Sequence, residues 1–189
     1  KTTGSRNHIF AEFDVNLSEN ESYESALSLK IQRTSFVSLK TKCKPVEFGD
    51  PYSLQKIGVE LCNLLVNTKY HSLSANQCGM TYSIFCCRVN NTFTTYFNPE
   101  LIDIGRDGAY DMIEGKEVCQ CFPSMQYTVK RPNVIRVQYK DYMGNNKMTW
   151  LYDLSARFWL KGFDHVNALT AYDRDNNTKT ELPEDMRYA

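Results

Sequence analysis

An α+β fold is predicted for this chain, with strands packed around two helices, the second near the C-terminus. Three observations carry the prediction. Asp50 and Pro51 supply an N-cap and a first-turn proline ahead of Leu54, Ile57, Leu61, Leu64 and Leu65, which share one helical face. Between residues 82 and 152, short runs alternate apolar with polar residues or stay apolar throughout, as strands do. From Leu154 to Leu169, the run LSARFWLKGFDHVNAL returns to helical spacing.

The bulk composition sets limits on function. The 189 residues, 42% hydrophobic and 23% charged, fit one domain with a sizeable core. Lysine and arginine number 22, as do aspartate and glutamate, so the balance argues against a nucleic-acid or acidic-membrane surface. No apolar run is long enough to span a bilayer, and the first residues lack the pattern of a signal peptide. The expected location is the cytoplasm. Seven cysteines, an odd number with Cys86 and Cys87 adjacent, do not form a secreted disulfide framework and read as reduced thiols.

In chain order, residues 1–36 read as an N-terminal arm with a polar stretch, NLSENESYES. Such a segment is either a disordered tail or an extension laid on a partner through Ile9, Phe10, Phe13 and Leu17. A helix is predicted over 51–68. The polar run HSLSANQCG then leads into YSIFCCRV, a buried-strand pattern from Tyr82 to Val89. Asn90 and Asn91 turn this strand into a partner at 92–97. A loop is expected after Asn98 and Pro99, through Gly105, Gly108 and Gly115, into the cysteine run EVCQCFPS. Ile135, Val137 and Tyr139 mark the next strand, and Gly144 to Asn146 turn it into one with Met148, Trp150 and Tyr152 on one face. In the last helix, Leu154, Phe158, Lys161 and His165 fall on the stripe expected to face the core, so a cation and an imidazole are placed inside. Residues 37–172 form the domain, and residues 173–189 read as a polar tail without chemistry.

The chemistry-bearing residues are modest when read by spacing alone. Cys119 and Cys121 form CxC, and the helix adds one histidine, His165. Buried thiols and a satisfied core histidine account for these as readily as a two-ligand metal site does. His71 widens the choice to a structural Cys₂His₂ zinc site with Cys119, Cys121 and His165.

Three motifs in order nevertheless resemble those of the peptide deformylases, metallohydrolases that remove the formyl group from the N-terminal methionine of new polypeptides. YHSLSANQ (Tyr70 to Gln77) is similar to GxGxAAxQ, EVCQC (Glu117 to Cys121) to EGCLS, and KGFDH (Lys161 to His165) to HExDH. FNPEL at 97–101, LKTKCKPV at 39–46, and the flanking Ala156, Arg157 and Asn167 fit the same pattern, so the resemblance covers residues 37–172. It implies a peptide-deformylase-like fold, with antiparallel or mixed strands around the C-terminal motif helix. It also implies an ancestral metal site, zinc or Fe(II), with Cys119 and His165 as ligands. Gln77 and the Gln120 N–H would be the oxyanion donors, and Glu117 would be structural.

Two positions depart from the family pattern. Lys161 stands where the third ligand belongs, and Gly162 where the catalytic glutamate belongs. An ammonium has no lone pair for a metal, and loss of the general base alone is worth about 10² to 10⁴ in rate. Tyr70 and Ser72 also replace glycines that would let a substrate backbone approach. The expectation is therefore a catalytically inactive relative without a cofactor, binding a protein partner through its arm as part of a larger assembly. Because phages carry members of the family, a virion protein is one form of that expectation. The alternative is a divergent metal-dependent deformylase.

Overall fold

The computed structural model describes residues 29–31, 36–175 and 180–181. Helix α1 spans Phe36–Leu39 and α2 spans Pro51–Val66. Strand β1 (Ser72–Ser74) runs into a 3₁₀ turn at Ala75–Cys78, followed by β2 (Ile84–Val89) and β3 (Thr92–Ile104). Then come β4 (Met112–Cys119), β5 (Phe122–Pro132), β6 (Val134–Lys140) and β7 (Asn146–Tyr152). Helix α3 (Asp153–Val166), α4 (Ala171–Arg174) and β8 (Thr180–Glu181) complete the described chain. One sheet has the order β1-β2-β3-β6-β7 and the other β4-β5-β8, with every named strand pair antiparallel. Among the described residues, no helix is long and apolar enough to cross a membrane.

Strand β2 explains how two cores form around one sheet. Its side chains alternate in direction, so Ile84 and Cys86 join the cluster under α2 with Leu61, Leu65 and Phe97. Phe85 and Cys87 enter the opposite cluster, with Ile135, Val137, Ala156 and Trp159 under α3. The adjacent cysteines thus serve two hydrophobic layers, and all seven cysteines are buried free thiols. Asp50 caps α2 by accepting from the backbone N–H groups of Tyr52 and Ser53. Asn90 and Asn91 both adopt positive φ, 50° and 63°, as the tight hairpin between β2 and β3 requires.

The structure corrects several expectations. The stretch after Pro99 is strand as far as Ile104, and Gly115 lies within β4 rather than in a loop. Met148 and Tyr152 share a face as expected, and that face is exposed, while Leu151 is buried on the other. On α3 the sheet-facing residues are Ala156, Trp159, Leu160 and Val166, whereas Leu154 is 63% exposed. His165 is buried and Lys161 half-buried on the flank of that face, so they look toward the cysteine turn. Leu29, assigned to the arm, packs in the α2 core, and Arg174 and β8, assigned to the tail, pair with α3 and β5. The arm's Ile9, Phe10, Phe13 and Leu17 lie outside the described residues.

Candidate functional site

The 3₁₀ turn after β1, the β4–β5 turn and α3 converge on Gln77. Its side-chain oxygen accepts from the Ser74 backbone N–H at 2.9 Å and from the Ser74 hydroxyl at 2.9 Å. A backbone N–H can only donate, so this atom is the amide oxygen, and His165 Nδ1 at 3.0 Å must therefore carry a proton. The Gln77 nitrogen in turn donates to Gln120 Oε1 at 2.9 Å and points at Cys119 Sγ at 3.7 Å. Gln120 passes the chain on by donating to Ser72 O at 2.7 Å. Both N–H groups of Gln77 are thus engaged, and the amide acts as an organising post between three segments.

With Nδ1 protonated, His165 turns Nε2 toward Cys119 Sγ, 3.8 Å away. Zinc bonded tetrahedrally to one sulfur and one imidazole holds those atoms about 3.6 Å apart, so this pair matches two corners of a metal site. The third position does not match. Lys161 donates to the Val118 carbonyl and lies 5.6 Å over the Tyr70 ring, leaving its ammonium engaged as a donor. Among the described residues, no group of three His, Cys, Asp or Glu side chains is arranged to hold an ion. The residues present do not fit the three-ligand set that a catalytic zinc uses.

The two thiols of the turn are shifted in opposite directions. A hydrogen bond from Cys121 holds the Cys119 thiol well below its ordinary value against the opposing cost of burial, and the charges of His165 and Lys161 act in the same direction. Cys121 is pushed up, first by that same bond and then by burial. Burial lowers the Lys161 ammonium, opposed by Cys119 and Glu117. Cys121 therefore belongs beside Cys119 as a donor. His71 stacks on Phe158 with ring centroids 4.1 Å apart. The Cys₂His₂ arrangement considered from the sequence does not form.

Behind the turn sits a buried charge cluster. Glu117 receives Arg131 in a two-pronged contact, at 2.6 and 2.9 Å, and Arg157 at 2.8 Å. Asp164, on α3, accepts from the same Arg131 at 2.8 Å and from Arg174 at 2.8 Å. Arg131 therefore ties the second motif to the third. Burial alone would raise the Glu117 carboxyl, but Arg131, with Lys161 and Arg157, holds it below its ordinary value. The pairing accounts for the structural role expected of Glu117. Arg131 and Arg174 were not identified from the sequence, since a strand arginine and a tail arginine carry no periodic signal.

Gly162 has a steric reason to be glycine here. A Cβ built on it would stand 2.5 Å from Phe85 Cδ2, and Phe85 is fully buried between Tyr96 and Trp159. Phe85 was likewise hidden from sequence reading, inside an uninterrupted apolar strand.

A two-sheet α+β scaffold, with a cysteine turn facing a histidine on a buried motif helix, is the architecture of the deformylase class of metallohydrolases. The family model for polypeptide deformylase matches residues 28–181, and the chain belongs to that family. It is 24% identical over 161 residues to peptide deformylase 2 of Nostoc sp., covering 79% of this chain and 88% of that protein. A peptide deformylase of Microchaete diplosiphon is 33% identical over 86 residues, which is 44% of this chain and 46% of that protein. The fold is shared with the Thermotoga maritima peptide deformylase (TM-score 0.71, 24% identity, 79% of this chain and 99% of that one). It is also shared with the Synechococcus elongatus enzyme crystallised with actinonin (TM-score 0.70, 20% identity, 84% and 86%).

Proposed function

We propose that this deformylase-family chain has exchanged hydrolysis for a binding or structural role, with residues 1–28, ahead of the core residue Leu29, as the segment that engages a protein partner. One observation carries the reading: Lys161, at the third ligand position, is committed to the Val118 carbonyl. The Phe85 ring supports it by filling the space behind Gly162, so residue 162 has no room for a carboxylate side chain. On this reading Cys119, His165, Gln77 and Gln120 persist as a hydrogen-bonded structural unit. A place in a virion finds no support in the fold or the relatives and is not part of this reading.

A second reading, divergent metal-dependent deformylation, is favoured by the names of the relatives and by the Cys119–His165 geometry. There Cys119 and His165 would be metal ligands, with Gln77 and the Gln120 N–H at the oxyanion. Metal analysis of the full chain, purified under reducing, oxygen-free conditions, is combined with an assay on a formyl-methionyl peptide. Metal well below one equivalent and no turnover are expected. Stoichiometric metal with turnover that a chelator abolishes would establish the second reading in its place.

A further inference from the structure

A cleft of about 610 Å³ opens between residues 42–45, the paired stretch of β3 and β6 and the end of α3, sharing none of the cysteine–histidine–glutamine residues described above. Its charged lining is three lysines, Lys42, Lys44 and Lys140, against one acid, Glu100. The chain as a whole has zero formal net charge, so the imbalance is local. Lys140 is positioned by neutral acceptors, Asn146 Oδ1 at 2.8 Å and the Gly144 carbonyl at 3.5 Å, and so keeps its charge available. Lys42 and Lys44 are exposed and form no ion pair with another described residue.

The cleft is built by the backbone rather than by chance surface chains. Cys43, between the two lysines, is buried, and its N–H donates to the Val166 carbonyl at 2.9 Å. That bond satisfies a terminal carbonyl of α3, so the helix end presents less negative potential to the cleft. Asn98, in a left-handed conformation at φ 47°, grips both the N–H and the carbonyl of Val46. The segment bearing Lys42 and Lys44 is thereby held against β3 at the register shift between Phe97 and Glu100. Proline and tyrosine surfaces (Pro45, Pro99, Tyr139) line the walls beside the cations.

We propose that this cleft binds a small organic phosphate carrying at least two negative charges, such as a nucleoside diphosphate. Ammonium groups on flexible stems suit phosphate oxygens as point charges, and the volume suits a ligand with an apolar or ring-bearing body. The test is calorimetric titration of the full chain with inorganic pyrophosphate and with adenosine diphosphate. Both should bind, the nucleotide more tightly, and binding should weaken several-fold between about 50 and about 200 mM salt. Lys42→Ala with Lys44→Ala, both on exposed side chains, should weaken binding about tenfold or more, whereas Lys56→Ala, outside the cleft lining, should leave it unchanged. Absence of binding to either compound at millimolar concentration would overturn the proposal, as would equal binding by the double variant. Pyrophosphate binding as tight as the nucleotide's would overturn the ring-bearing ligand.

Discussion

Phe85 on β2 and Gly162 on α3 meet so closely that the Phe85 ring occupies the place where a side chain at residue 162 would begin, 2.5 Å from an ideal Cβ. Alanine is a better helix former than glycine by roughly 1 kcal/mol, so Gly162→Ala should stabilise an unconstrained helix. Here overpacking reverses the sign, and a net loss of about 1–2 kcal/mol is expected from denaturant unfolding. Phe85→Ala opens a cavity by itself, but combined with Gly162→Ala it should cost less than the two single changes added together.

The same contact governs any attempt to restore the family's site. Lys161→His alone should bring a second imidazole to Cys119 and His165 and confer cobalt binding, seen as a thiolate charge-transfer absorption that Cys119→Ser abolishes. Adding Gly162→Glu should destabilise the protein unless Phe85 is also made small. Cobalt uptake by the unmodified chain equal to that of the Lys161→His variant would contradict this account of residue 161.

Arg131 is 4% exposed and bridges two carboxylates that are equally buried. Arg131→Met leaves Glu117 and Asp164 short of a partner in a poorly solvated place, and a loss of about 3–5 kcal/mol is expected from thermal or denaturant unfolding.

The pH dependence follows from Glu117, whose folded pKa lies below the unfolded value, ordinarily about 4.3. Its contribution is complete above the unfolded pKa. It declines as pH falls, because the unfolded chain takes up its proton first, and is gone once pH passes below the folded pKa. Stability should therefore drop through the acid range below about pH 5. Glu117→Gln should be less stable than the parent at neutral pH, and the gap should narrow as the solution is acidified. A gap that stays constant in unfolding measurements across that range would rule out this linkage.

Much of the fold was legible because helix α2 and strands β2, β6 and β7 carry local signals: a cap, a first-turn proline, alternation and an Asn–Asn turn. Strand β4 was misread as loop because its solvent-facing residues, its Gly115 and its charges give no clean alternation. The glycine lies under the Arg157 guanidinium, whose Cζ would be 2.7 Å from an added Cβ. The stripe on α3 was placed one flank away from its true position, because helical spacing defines a face but not the neighbour that covers it.

The amino-acid sequence by itself determined the family, the order of the motifs, and that lysine and glycine stand at residues 161 and 162, where the family motif carries histidine and glutamate. Those are matters of residue identity, which spacing along a chain preserves. Only the tertiary structure decided what fills the altered positions: the Val118 carbonyl for Lys161, the Phe85 ring for Gly162, and Arg131 between Glu117 and Asp164. These partners come from strands 14 to 77 residues away in the chain. Contacts between such distant segments are set by how the sheets pack on the helix, and no local pattern encodes them.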